Sequence, residues 1–144
     1  MLLKKVYLAA ILGLVGVSSA YAADEAHNFN FREAVDRAVA DGVLDGSVKF
    51  YLAGTRSGGK AIARGLVTNK KTNGFGKSAE KACDHVLRSA LIQFQNTAKA
   101  RGANAVTNLV SYYKSNTSKS TTTYECHKGT AIAGVALKGD IVRF

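Results

Sequence analysis

The chain has 144 residues, 47% of them hydrophobic, with two Cys, no Pro and no Trp. That is room for one domain around one modest core, and it excludes a multi-domain enzyme. Twenty Lys and Arg against ten Asp and Glu give a net charge of +10, but with only 21% charged residues and ordinary apolar content the composition excludes intrinsic disorder.

The N-terminal residues 1–22 read as a secretory signal peptide. Lys4 and Lys5 form the positive end, Val6 to Val17 the apolar run, and Ala20-Tyr21-Ala22 the small-residue cleavage site. The apolar run is about a dozen residues, where a membrane-spanning helix needs about 20, and acidic Asp24 and Glu25 follow directly. The expectation is a soluble protein with a single domain over residues 23–144, located in the periplasm or secreted. Only Lys4 and Lys5 leave with the signal, so the basicity stays with the folded domain.

Asn30 and Glu33 have capping-box spacing, and Phe31, Val35, Ala38 and Val39 then share one helical face before Gly42. This predicts a short amphipathic helix. Ser47 to Ala53 alternates Val48, Phe50 and Leu52 with Lys49 and Tyr51 after an Asp45-Gly46 turn, which predicts a half-buried strand, and Ala61 to Thr68 a second. Gly54 to Lys60 and Asn69 to Lys77 read as turn-rich connections. Ser78 to Arg101 is the longest periodic segment. Ala79, Ala82, Cys83, Val86, Ala90, Phe94 and Ala98 form its apolar stripe, Leu87 and Leu91 widen it, Ser78 is placed to cap it and Gly102 to end it. Strands are then expected at Ala105 to Tyr113, Thr121 to Cys126 and Ala131 to Lys138, with a Gly139-Asp140 turn into a last strand at Ile141 to Phe144. The predicted fold is α+β: one long helix and a short N-terminal helix packed on a mostly antiparallel sheet of about five to six strands.

Cys83 and Cys126 are the only thiols, and an even pair in an exported domain reads as a disulfide. The alternative, a metal site from Cys83, His85, Cys126 and His127, has the wrong spacing. Residues two apart on a helix point about 200° from one another, and neighbours on a strand face opposite sides. Closing a loop of about 43 residues should stabilise the fold by about 4 kcal/mol in the chain-entropy model.

Two stretches imitate a phosphate-binding loop. In Gly54 to Ala61 the glycines and Lys60 are correctly spaced, but Ala61 stands where a Mg²⁺-binding hydroxyl is needed and a strand follows. In the second, ending Gly76-Lys77-Ser78, Lys71 occupies the first glycine position. ATPase chemistry is therefore not expected, and no cofactor is. For hydrolysis, His27, His85 and His127 lack a nucleophile elbow and a placed carboxylate partner; His27 sits near a loose start and His127 at a strand end. The concentrated feature is basic: Arg56, Lys60, Arg64, Lys70, Lys71, Lys77 and Lys81, with Glu80 the one acid among them. Such a surface suits anionic lipid headgroups, acidic surface sugars or an acidic protein. Nucleic acid fits less well, because Tyr51 and Phe75 are too few aromatics for a base-stacking platform.

Lys71-Thr72-Asn73-Gly74-Phe75-Gly76-Lys77, Ala82-Cys83, Gly102-Ala103-Asn104-Ala105-Val106, Ser111-Tyr112-Tyr113-Lys114, Glu125-Cys126-His127 and Gly134-Val135-Ala136-Leu137-Lys138-Gly139 together resemble a family of small exported bacterial proteins that often carry the label excinuclease ATPase subunit. A DNA-repair ATPase would need intact phosphate loops and zinc-binding Cys clusters, so the label reads as a misnomer. More distantly, a long helix ending in Gly102-Ala103-Asn104-Ala105-Val106 and running into a strand resembles the YbjQ-type heavy-metal-binding fold, shared by the sensor lipoprotein of the Rcs envelope-stress pathway. That resemblance implies a small α+β domain with a binding or sensing role. The expected function is thus a non-enzymatic envelope protein that binds or senses through a basic surface, with an unrecognised periplasmic hydrolase as the alternative.

Overall fold

The computed structural model describes residues 24–144; the expected signal peptide lies outside the described residues. Its elements are β1 (Glu25–Asn30), α1 (Phe31–Ala40), β2 (Lys49–Leu52), β3 (Lys60–Asn73), α2 (Ala79–Ala100), β4 (Ala105–Ser111), β5 (Thr123–Lys128) and β6 (Ile132–Arg143), with a short 3-10 turn at Tyr113–Ser115. The fold is α+β, two helices on a curled mixed sheet of six strands. None of the helices among the described residues is long and apolar enough to cross a membrane.

The sheet is organised by β6. Along one edge β6 pairs with β3 over nearly its whole length, from Lys60↔Arg143 to Asn73↔Ile132. Its other edge is shared: β5 takes Ala133 and Gly134, and β4 takes Leu137 to Val142. β1 extends the sheet beyond β5, and β2 runs parallel to β4 beyond it. Odd-numbered β6 residues Ala133, Val135, Leu137 and Ile141 face the core. Even-numbered ones face the opposite side, as period-two alternation requires.

Both helices begin where a side chain can accept from a free backbone N–H. Asn30 Oδ1 accepts from Glu33 N at 2.9 Å, and Ser78 Oγ from Lys81 N at 3.1 Å. α2 buries Ala82, Cys83, Val86, Leu87, Ala90, Leu91, Phe94 and Ala98. Against them pack Phe31, Phe50, Leu109, Tyr124, Leu137 and Ile141, each large side chain contributing about 1.5–3 kcal/mol on burial. Cys83 on this stripe and Cys126 in β5 are fully buried and joined by a disulfide, with Cα atoms 5.9 Å apart. The bridge clamps the first turns of α2 to the sheet and consumes both sulfurs of the alternative metal cluster. Ion pairs Arg37–Asp84 at 3.0 Å and Arg88–Asp41 at 2.8 Å tie α1 and its C-terminal cap to α2, and Arg88–Asp84 at 3.1 Å, within α2, joins the two pairs.

Several expectations need correction. Residues 25–30, read as a loose start, form β1 opposite β5, and His27 stacks on Phe29 with ring centroids 5.9 Å apart. Asn69–Asn73 continue β3, because each pairs with a residue of the apolar strand β6. Gly139-Asp140 is the interior of one long strand: the residue lacks a side chain because Leu109 fills its place, a Cβ on Gly139 lying 2.7 Å from Leu109 Cδ2. Val39 is 41% exposed, off the buried face of α1, where Ala34 takes its place.

Candidate functional site

On the side of the sheet away from the helices, both neighbours of β6 carry an extra residue at the same level. In β4, Thr107 pairs with Asp140 and Val110 with Lys138, so three steps on β4 oppose two on β6. In β3, Ala63 pairs with Ile141 and Leu66 with Gly139, again three steps against two. These are β-bulges, which bend a strand and re-aim its side chains. The β4 bulge holds Asn108 in the left-handed region at φ 57°, uncommon outside glycine and best tolerated by Asn, and the β3 bulge places Gly65 there at φ 65°.

Asp140 stands between the two bulges with its side chain 13% exposed. Its Oδ1 accepts from Gly65 N at 2.8 Å, while Oδ2 faces Asn108 Nδ2 at 3.5 Å and Arg64 Nη1 at 3.8 Å. The carboxylate thus engages the backbone of one bulge and the side chain of the other. Above it the loop Gly54–Gly59 arches from β2 into β3. Gly59 has φ 81° and lies so close to Phe144 that a Cβ would come 3.0 Å from the ring. Arg56, on this loop, lays its guanidinium over Phe144 at 4.2 Å from the ring centroid and near Tyr51 at 5.8 Å.

Loop and bulges enclose an open cleft of about 450 Å³ lined chiefly by Arg56, Arg64, Thr107, Asn108 and Asp140, with Ala61 and Val142 at its floor. Two guanidiniums against one carboxylate leave it a positive site. Arg56 is held by aromatic rings and forms no ion pair with a carboxylate among the described residues; Arg64 is 76% exposed. Both can turn their planar forks to an incoming carboxylate, sulfate or phosphate.

The seven basic residues singled out from the sequence do not form one patch. Arg56 and Arg64 meet at the cleft. Lys60 begins β3 and is exposed, and Lys71 lies on the open face opposite Gly134. Lys70 falls on the helix side with Thr68, which is buried and donates to Gln93 of α2 at 3.2 Å. Lys77 donates to Asn73 O at 3.2 Å in the turn before α2, and Lys81 is exposed in its first turn. The P-loop imitation Gly54–Ala61 leads into strand β3, so the loop is not followed by the helix N-terminus that a phosphate-binding loop requires.

The sequence reading missed Asp140 and Asn108, taken for turn and plain strand. A polar residue after a glycine inside an apolar run, and the glycine Gly65 inside β3, are bulge signals that would have found them. It also missed a carboxylate partner for His127. β5 runs to Lys128, so Glu125 and His127 share one face two residues apart, with His127 Nε2 2.6 Å from Glu125 Oε1. Tyr113 stacks on the imidazole at 3.7 Å, and its hydroxyl donates to Asp24 at 2.9 Å. Burial raises the Tyr113 pKa, with that hydrogen bond to Asp24 adding to the effect. Compared with known proteins, the chain matches no family model, no curated protein and no solved structure.

Proposed function

We propose that the chain is a non-enzymatic binding module of the cell envelope, exported to the periplasm or beyond, that holds an acidic group of a surface glycan in the cleft between the Gly54–Gly59 loop and the paired bulges. The resemblance to small exported bacterial proteins and to sensor domains supports this reading, as does a disulfide, which persists outside the reducing cytosol. The observation that carries it is the arrangement of Arg56 on Phe144 across from Arg64, over the neutral donor Asn108 and the acceptor Asp140. Charged forks beside neutral donors and a carboxylate acceptor match a sugar acid, which presents an anion and hydroxyls together.

Titration of the oxidised protein with polygalacturonate, followed calorimetrically at several salt concentrations, tests the proposal. Binding should weaken with salt, fall by about tenfold for Arg56→Ala with Arg64→Ala, and be absent with neutral dextran. Equal binding by the double variant would overturn it.

The hydrogen-bonded His127–Glu125 pair favours a second reading, a hydrolase with His127 as base oriented by Glu125. Tyr113 covers one face of that imidazole, which leaves the binding reading the better supported. Esterase and glycosidase assays separate the two: a hydrolase keeps its turnover in high salt and loses it with His127→Ala.

A further inference from the structure

β3 is the longest strand, and among the described residues it pairs with β6 alone. From Leu66 to Asn73 its pairing runs through eight consecutive residues without a register break. Every second residue of such a strand turns its N–H and C=O away from the partner, so a regular edge of about 25 Å faces outward. Asn73 O there accepts from Lys77 Nζ at 3.2 Å, while Val67, Asn69 and Lys71 have no backbone partner on that side among the described residues. The other outer strands are different. β2 has four residues, and Arg32 Nη2 already donates to Phe50 O at 2.9 Å on its outer side. β1 has six.

The side chains along this edge have a definite character. Lys70 and Lys71 sit at its middle, Lys77 and Lys81 follow at its exit into α2, and Val67 and Phe75 are 49% and 69% exposed. A second copy adding to the same edge in antiparallel sense would set Lys70 and Lys71 against their own counterparts, and like charges directly opposite are destabilising. The same lysines favour a strand of opposite charge. We propose that the outer edge of β3, residues 66–73, takes up an extended acidic segment of a partner protein as an added strand, with backbone hydrogen bonds supplying affinity and Lys70 and Lys71 selecting its charge. This surface is separate from the cleft and stands whether or not the cleft binds a glycan.

The probe is a fluorescein-labelled eight-residue peptide of Val and Thr with two adjacent Glu at its centre, one for each face of the strand, added to the full oxidised chain and read by fluorescence anisotropy, with amide hydrogen exchange to map the contact. The expected result is saturable binding that protects amides within 66–73, falls about tenfold for Lys70→Glu with Lys71→Glu, and is unchanged in Arg56→Ala with Arg64→Ala. A peptide N-methylated at every residue keeps the charge but loses the donors of both its edges, and it should not bind. Equal binding of the N-methylated peptide, protection mapped to the Gly54–Gly59 loop, or dimerisation of the protein through this edge in sedimentation would each overturn the proposal. The lysine variants are checked for fold by their thermal unfolding, and the N-methylated peptide needs no protein variant at all.

Discussion

On the helix side of β6, Ala133, Val135, Leu137 and Ile141 are buried under α2, and the Cys83–Cys126 bridge joins that helix to β5. On the other side of the same strand, Lys138 lies by the Tyr112 ring at 4.9 Å and Asp140 receives Gly65 and Asn108 from two bulged neighbours. One strand therefore carries an apolar face under a helix that is fastened to its neighbour β5, and an opposite face on which Lys138 and Asp140 stand beside the buried Ala136 and Val142. The polar groups of the open face sit on a loop and on bulges outside the helix-packed stripe, so changes on the helix side should be read out chiefly as stability and changes on the open side chiefly as binding.

The strongest way to break this division is to cut the bridge. Cys83→Ala with Cys126→Ala, or reduction under denaturant, should lower unfolding stability by about 4 kcal/mol, measured as a fall in the denaturant midpoint. Cleft binding should persist at temperatures where the variant remains folded. Gly139→Ala comes next, because it adds a methyl where Leu109 already stands, and overpacking of this kind costs about 1–3 kcal/mol. Gly139 precedes Asp140, so this variant alone should disturb both faces, lowering the thermal midpoint and weakening cleft binding together.

Alkaline titration sharpens the contrast through two tyrosines. Burial holds the Tyr124 hydroxyl far above its ordinary value, with Asp84 adding to the effect; Tyr113, on the open side, is also raised, by burial and then by Asp24. A raised folded-state pKa favours the neutral phenol, so this stability is fully present below the ordinary tyrosine value near 10 and is lost as pH rises through the folded values. Unfolding midpoints should decline above about pH 10. Tyr124→Phe should remove more of that decline than Tyr113→Phe.

The helix side was largely legible in the sequence because burial there is periodic. The stripe from Ala82 to Ala98 and the Ser78 and Asn30 caps follow from local spacing, and the cysteine pair from its even count in a chain read as exported. The open face was not, for a physical reason. A bulge in each neighbour of β6 hides the level at which Asp140 pairs, so Asp140 was read as part of a turn, and β3 was read as ending at Thr68 because Asn69–Asn73 holds no apolar residue to alternate, although both belong to long strands. β1 was missed because Glu25 to Asn30 has little apolar content, and pairing with β5 fixes it instead. Glu125 and His127 needed the end of β5 to be placed two residues later.

The smallest predicted effect tests whether polar groups on the helix side also serve stability. Asp45, in the turn between α1 and β2, accepts from Lys99 at the end of α2 and from both the hydroxyl and the N–H of Ser47, while Gln95 of the same helix receives the Asp45 N–H at 3.1 Å. The hydrogen bond from Lys99, and after it those from Ser47, hold the Asp45 carboxyl well below the ordinary value of 3.8. A lowered folded-state pKa favours the charged form, so its contribution is present above the ordinary carboxylate range and is lost as pH falls below about 4. Because the pair is solvent-exposed, the effect should be a shallow one that salt reduces further. Asp45→Asn should lower the thermal midpoint slightly at neutral pH, flatten its acid dependence below pH about 4, and leave cleft binding unchanged. A loss of glycan binding in Asp45→Asn would mean that the turn before β2 controls the Gly54–Gly59 loop, and the two faces would then be one coupled unit.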